Sequence, residues 1–239
     1  MWFHGLRQRI GRKARIDLTS PRILKGKAAE WPACRRWSPD YFASEFGDVR
    51  VDVTVCDSGI VRWSPDGKAE NPQQQSYLEG VALREAVSWI VNSKPSGPKY
   101  YVCQHSIPRL FPGLLSDLDL SGHFGEGTVN LWFGSKDNHT PLHHDGSDNT
   151  FVQIFGRKTF TLFSPEQTDM LYPNPAGTKM AHLSQIDLAR PDYEAFPRFR
   201  QARPLVYKLG PGDILTFPRN WWHYVVSDTI SISVNHWTP

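Results

Sequence analysis

The sequence predicts a mainly β protein, a jelly roll preceded by short helices. From Lys99 onward, short runs rich in Val, Ile, Phe, Tyr and Trp recur between turn residues, the pattern of many brief strands. The 19 Pro and 18 Gly in 239 residues provide the turns. Hydrophobic residues make up 39% of the chain and aromatic ones 13%, enough to build a packed core and to exclude a disordered chain.

Taken in order, residues 1–36 carry ten Lys or Arg against Asp17 and Glu30, so a basic segment over 1–20 precedes a single domain over 21–239. Residues 37–47 read as a short helix. Ser38 suits the N-cap, Pro39 the first helical position, and Gly47 the stop. The stretch Asp57–Ser76 is polar and turn-rich and reads as a long loop. Leu83, Ala86, Val87, Ile90 and Val91 then recur at helical spacing, which predicts a second helix over 83–91. Ser93-Lys94-Pro95-Ser96-Gly97-Pro98 breaks the chain before a barrel core at about 99–239.

In that core the expected strands are Tyr100–Cys103, Thr128–Phe133, Phe151–Phe155, Lys158–Phe163, Leu205–Leu209, Ile214–Phe217, Tyr224–Ser227 and Ser231–Trp237. Gly156-Arg157 suits a two-residue hairpin turn, and Gly210-Pro211-Gly212-Asp213 another turn. Strands of this number and length close most readily into a jelly roll, whose mouth can hold a metal.

The net charge of +3 does not mark the molecule as a polyanion binder, although the basic start could meet RNA, an acidic protein or a membrane surface. Cys34, Cys56 and Cys103 are odd in number and lack a C-x-x-C, which points to a reducing compartment. No apolar run approaches a membrane span, and the arginine-rich start lacks the apolar stretch of a secretory signal. The expected location is the cytoplasm, or the nucleus of a eukaryotic cell; residues 1–16, basic and free of acids, keep a mitochondrial presequence as the alternative.

The chemistry starts at Thr140-Pro141-Leu142-His143-His144-Asp145 and Trp221-Trp222-His223. Two histidines and one carboxylate form the facial triad that holds Fe(II) and leaves its opposite face open. On a strand, His143 and Asp145 would share a face while His144 points away. An H-x-D pair alone arises readily by chance, and by itself reads as a surface histidine beside a turn aspartate. His139 and His143 are also four apart, as in helical zinc sites, but Pro141 between them breaks that helix and no Glu follows His139.

Further pieces surround the triad: Asn130-Leu-Trp-Phe-Gly134, Asn149, Gln153-Ile-Phe-Gly-Arg-Lys158, Leu162-Phe-Ser-Pro165, Pro211-Gly-Asp213 and Ser231-Ile-Ser-Val-Asn235. With Leu171-Tyr-Pro173, Ser184-Gln-Ile-Asp187 and Trp31-Pro-Ala33, they make nearly the whole chain resemble the Jumonji C family of cupin-like oxygenases. The resemblance is to its small hydroxylase branch, which contains the asparaginyl hydroxylase that inhibits hypoxia-inducible factor. It implies a double-stranded β-helix, with His143, Asp145 and His223 as the catalytic iron ligands. It implies 2-oxoglutarate as co-substrate and O2 as oxidant. Lys158 would pair with the distal carboxylate of 2-oxoglutarate, with Tyr101, Thr140, Asn149 and Asn235 around it. A buried charge needs a partner, which agrees with that role for Lys158. Asn130 and Trp132 share a strand face and would line the substrate pocket.

The function so implied is a 2-oxoglutarate-dependent dioxygenase that hydroxylates a protein side chain. The chain ends soon after the last expected strand, without the reader domains that often accompany histone demethylases. Alternatives are hydroxylation of a modified tRNA base, protein lysine demethylation, or a cupin barrel that binds a partner without catalysis. The expected partner is a protein or peptide rather than RNA, because net charge is low and no aromatic–basic interleaving was found.

Overall fold

The computed structural model describes residues 19–57, 59–60, 65–67, 75–120 and 126–239. Residues 1–18 of the expected basic segment, much of the loop expected over 57–76, and His123 lie outside the described residues. The strands are β1 (Arg22–Leu24), β2 (Arg50–Cys56), β3 (Gln75–Ala82), β4 (Lys99–Ser106), β5 (Thr128–Gly134) and β6 (His139–His143). They continue with β7 (Asp148–Phe155), β8 (Lys158–Phe163), β9 (Leu205–Leu209), β10 (Ile214–Phe217), β11 (Trp222–Ser227) and β12 (Ser231–Thr238). Helices α1 (Pro32–Arg36), α2 (Pro39–Glu45), α3 (Leu83–Val91) and α4 (Ile107–Leu110) cover one face.

A large sheet runs β1-β10-β7-β12-β5-β4-β2-β3, and a small one β6-β11-β8-β9. Strands β5 to β12 close a jelly roll, the expected fold. The chain changes sheet at most of its connections, and this corrects one expectation. Gly156-Arg157 does not close a hairpin: β7 pairs with β10 and β12, whereas β8 pairs with β9 and β11. The pair carries the chain from one sheet to the other. Gly156 has φ 73°, and a Cβ there would overlap the Ile230 carbonyl, so only glycine fits the corner.

The helices form where capping and apolar spacing place them. Ser38 Oγ accepts the Tyr41 N–H at 3.1 Å, and Leu83, Ala86, Val87 and Ile90 bury one face of α3. These side chains belong to one core cluster with Val129, Leu131, Phe133, Ile232 and Val234 of the large sheet. Alternation along β5 then turns Asn130 and Trp132 toward the barrel interior. Phe151, Phe160, Leu162, Leu209, Leu215 and Phe217 form a second cluster, and the segment 164–204 covers the outer face of the small sheet through Leu171, Ile186 and Phe199, which cluster with Phe163 and Trp222 of the sheet.

Four strands lay outside the expectation. β1 is only three residues long, too short to show an alternation. β2 carries Val51, Val53 and Val55 in alternation, a signal that was present and not taken up. β3 starts inside the expected loop; most of it is exposed, so no apolar alternation marks it. β6 holds only five residues with Pro141 at its centre.

Candidate active site

His143 at the end of β6 lies opposite His223 on β11, in register, with ring centroids 4.0 Å apart. Asp145 lies beyond the strand end, in the connection to β7, and not on the shared strand face expected for it. The chain leaves the ladder at His144, whose N–H donates to the His182 carbonyl, and Asn220 N–H then holds the Asp145 carbonyl at 2.8 Å. The carboxylate still returns to both rings, with Oδ1 3.9 Å from His143 Nε2 and Oδ2 3.5 Å from His223 Nε2. One donor atom from each residue falls within 4.8 Å of the others.

Both rings are oriented by the same local device. His143 Nδ1 lies 2.8 Å from the Pro141 carbonyl and His223 Nδ1 3.0 Å from the Trp221 carbonyl. A carbonyl only accepts, so Nδ1 carries the proton in each ring and Nε2 keeps its lone pair toward Asp145. Burial pushes the His223 imidazolium down to about 3, which keeps the ring neutral. Two imidazoles and a carboxylate are the donor set suited to a non-heme Fe(II) with open positions.

Lys158 begins β8 and is 1% exposed. Its Nζ donates to Tyr101 Oη at 3.2 Å and Ser233 Oγ at 3.1 Å, and stands 5.3 Å from the ring centres of Tyr101 and Phe151. Among the described residues no carboxylate pairs with it. Burial lowers its pKa from 10.5 to about 7. A buried cation centre held by two hydroxyls and no anion fits a site that receives a carboxylate from a small molecule.

A chain of amides extends along the same wall. Asn235 Oδ1 accepts Trp132 Nε1 at 2.8 Å and Asn130 Nδ2 at 3.3 Å, while Asn235 Nδ2 donates to Asn149 Oδ1 at 3.4 Å. Thr140 hydrogen-bonds Tyr101, whose phenol burial drives well above its ordinary range. A narrow cavity of about 40 Å³ brings the triad, Tyr101, Trp132, Thr140, Asn149, Lys158 and Asn235 into one lining. Asn130 does not reach that lining. It lies beside Asn235 across the β5–β12 ladder, its amide donating to Asn235, while the indole of Trp132 joins the lining.

Reading the sequence overlooked Ser233, Phe151 and Trp237. The signal for two of them was available: on β12, Ser233 and Trp237 share a face with Asn235. The remaining histidines take other roles. His139 meets Tyr224 Oη outside the triad, and His105 Nε2 accepts the Asp52 N–H at 2.9 Å. His144 packs against Trp222, whose Nε1 donates to Thr168 Oγ1 at 3.0 Å. Larger cavities, of about 300 and 340 Å³, lie under the segment 164–204. Neither contains the triad, and convergent polar groups rather than size single out the small one.

The cupin-like domain family matches residues 1–238 of the chain. The chain belongs to the Jumonji C cupin-like family. Proteins of this family in general use Fe(II) and 2-oxoglutarate. HSPB1-associated protein 1 of Bos taurus is 42% identical over 241 residues, covering 92% of this chain and 48% of the relative. Lysine-specific demethylase 8 of Xenopus tropicalis is 31% identical over 224 residues, covering 91% and 47%. Lysine-specific demethylase JMJ30 of Arabidopsis thaliana is also 31% identical, covering 91% and 49%. The chain thus spans about half the length of the curated relatives it matches. Among the described residues, no helix is long and apolar enough to cross a membrane.

Proposed function

We propose that this Jumonji C chain is an Fe(II)- and 2-oxoglutarate-dependent dioxygenase that hydroxylates a side chain of a protein substrate. The observation that carries the reading is the buried Lys158, without an anionic partner among the described residues, in the same cavity as two imidazoles and a carboxylate. His143, Asp145 and His223 would hold the metal, and Lys158 would pair with the distal carboxylate of 2-oxoglutarate. When bound, Fe(II), 2-oxoglutarate and O2 supply an oxidative decarboxylation coupled to oxygenation of a C–H bond.

The chain's own residues contribute placement. The Pro141 and Trp221 carbonyls hold the imidazole protons on Nδ1 and so present Nε2 as donors. Tyr101 and Ser233 aim the lysine ammonium, and the carboxylate that enters would keep it protonated. The Asn235 amide, its oxygen engaged by Trp132, fixes which way Asn149 faces. Phe151, Phe160 and Val225 exclude water from the inner end of the cavity.

A second reading rests on the relatives named as lysine-specific demethylases. Oxygenation of an N-methyl carbon yields a hemiaminal that loses formaldehyde, so the same residues would serve it. The test is incubation with Fe(II), 2-oxoglutarate and arrays of unmodified and N-methylated peptides, followed by mass spectrometry. A peptide gaining one oxygen supports hydroxylation, and one losing a methyl group supports demethylation. Both signals should vanish in His223→Ala while its near-ultraviolet dichroism persists. Unchanged turnover in that variant would show that the triad is not the metal site.

A further inference from the structure

β9 is the last strand of the small sheet, paired with β8 on one side and with no strand among the described residues on the other. The Lys208 carbonyl faces away from β8, since it accepts Lys25 Nζ at 2.8 Å. Residues two apart on an antiparallel strand share that direction. Val206 therefore turns both its N–H and its C=O outward, with no ladder bond to β8. Val206 is 55% exposed and Leu205 44%.

Chemistry along this edge has one sign. Residues 195–212 contain Arg198, Arg200, Arg203 and Lys208, all exposed, and no Asp or Glu. Val206 lies opposite Thr161, so it stands on the outer face of the sheet. On that face Thr161, Phe163, Phe199, Arg200 and Pro204 help to line a cavity of about 340 Å³. An open strand edge, a partly apolar cavity beside it and four exposed cations in a stretch of chain without acids occur together.

We propose that this edge docks an extended acidic segment of a protein partner, added to the small sheet as a fifth strand. Main-chain pairing at Val206 would provide the strand register, an apolar side chain would enter the cavity, and carboxylates would face Arg200 and Lys208. Charge argues against two other occupants. A second copy pairing β9 to β9 would bring two cationic runs together. The chain's own start carries Arg7, Arg9, Arg12, Lys13 and Arg15, the wrong sign for this edge. β9 lies two strands from β11, about 10 Å at sheet spacing, so the surface is separate from the triad and does not depend on the iron reading.

The test is fluorescence anisotropy with short labelled peptides of Glu, Asp, Val and Leu, beside matched peptides with Lys in place of the acids. The acidic probe should bind, more weakly as salt rises, and the basic one should not. Val206→Pro removes the outward N–H without breaking the β8 ladder and should weaken binding about fivefold. Arg200→Glu with Lys208→Glu should weaken it about tenfold or more. Hydrogen exchange at the Val206 amide should slow when the probe is present, a readout that stands even if the proline variant fails to fold. Equal binding of acidic and basic probes, or full affinity in the charge-reversed variant, would overturn the proposal. So would no slowing at Val206, or self-association of the free protein through this edge.

Discussion

Lys158 shows how one side chain can set the chemistry of a pocket. Its ammonium is buried against two hydroxyls, and its pKa sits near 7 rather than 10.5. Cys103 is the other titratable group close to it, besides the Tyr101 phenol. A bound dicarboxylate favours the charged form, so above about pH 7 the free protein must take up a proton in order to bind. The expected result is that 2-oxoglutarate affinity falls with rising pH above 7, by up to about a decade per unit. Calorimetry in buffers of different ionisation heat should record proton uptake at pH 8, and a pH-independent Kd would contradict it. Linkage fixes the sign for the ligand-free fold too. The unfolded chain holds this proton up to about 10.5, so the lysine's contribution to stability grows as pH rises from 7 to 10.5 and is lost on the way down. Lys158→Met removes one partner of a buried pair, which costs roughly 3–5 kcal/mol. That corresponds to about two to four decades in Kd for 2-oxoglutarate. Titration of Mn(II) in the same variant should change little, which separates the lysine from the triad.

The elements were unequally readable. α2 and α3 were legible because a serine cap and an apolar stripe are local signals. β8, β9 and β10 carry turn residues at their ends and short apolar-rich runs between, and they fall where expected, although β9 is largely exposed. What stayed hidden depends on partners distant in the chain. β3 is mostly exposed and is held by β2, and β6 is a five-residue strand recognisable only beside β11. The Gly156-Arg157 turn was located correctly and assigned the wrong connection. A glycine with positive φ marks a corner, but local sequence does not say whether the next strand returns to the same sheet. The corner itself makes a prediction. Gly156→Ala combines a left-handed backbone with a clash against Ile230, and should cost about 1–3 kcal/mol of stability. Chemical denaturation should show a lower midpoint with an unchanged slope; a midpoint within error of the wild type would mean the corner relaxes freely. At the site, motif context singled out His143, Asp145, His223 and Lys158, which line one cavity, while Asn130 lies outside that lining, since a strand face alone does not say which of its residues reach a cavity.

At the scale of the molecule, the candidate site draws on both sheets. Tyr101, Trp132, Asn149 and Asn235 come from the large sheet, and Thr140, Lys158, His143 and His223 from the small one. A ligand bound there should therefore stabilise the whole barrel, not one loop. With Mn(II) and the non-reactive analogue N-oxalylglycine at about 100 times Kd, the expected gain is about 2.7 kcal/mol. It should appear as one cooperative melting transition displaced upward. A shift in a minor early phase alone would mean that the ligand is held by a part of the fold.

The alternation of β5 to β12 between two sheets also bears on how the chain reaches this state. His143 and His223 are neighbours across one ladder, yet most of the barrel's chain runs between them. No early hairpin can bring them together, because the strands that follow each other mostly lie in different sheets. Closure must pay for long loops before it gains contacts, the regime in which folding is slow. The three donors converge only once β11 has docked beside β6. Metal uptake during refolding would thus report the last step of the process, and the iron site would serve as a clock hand for the completed barrel.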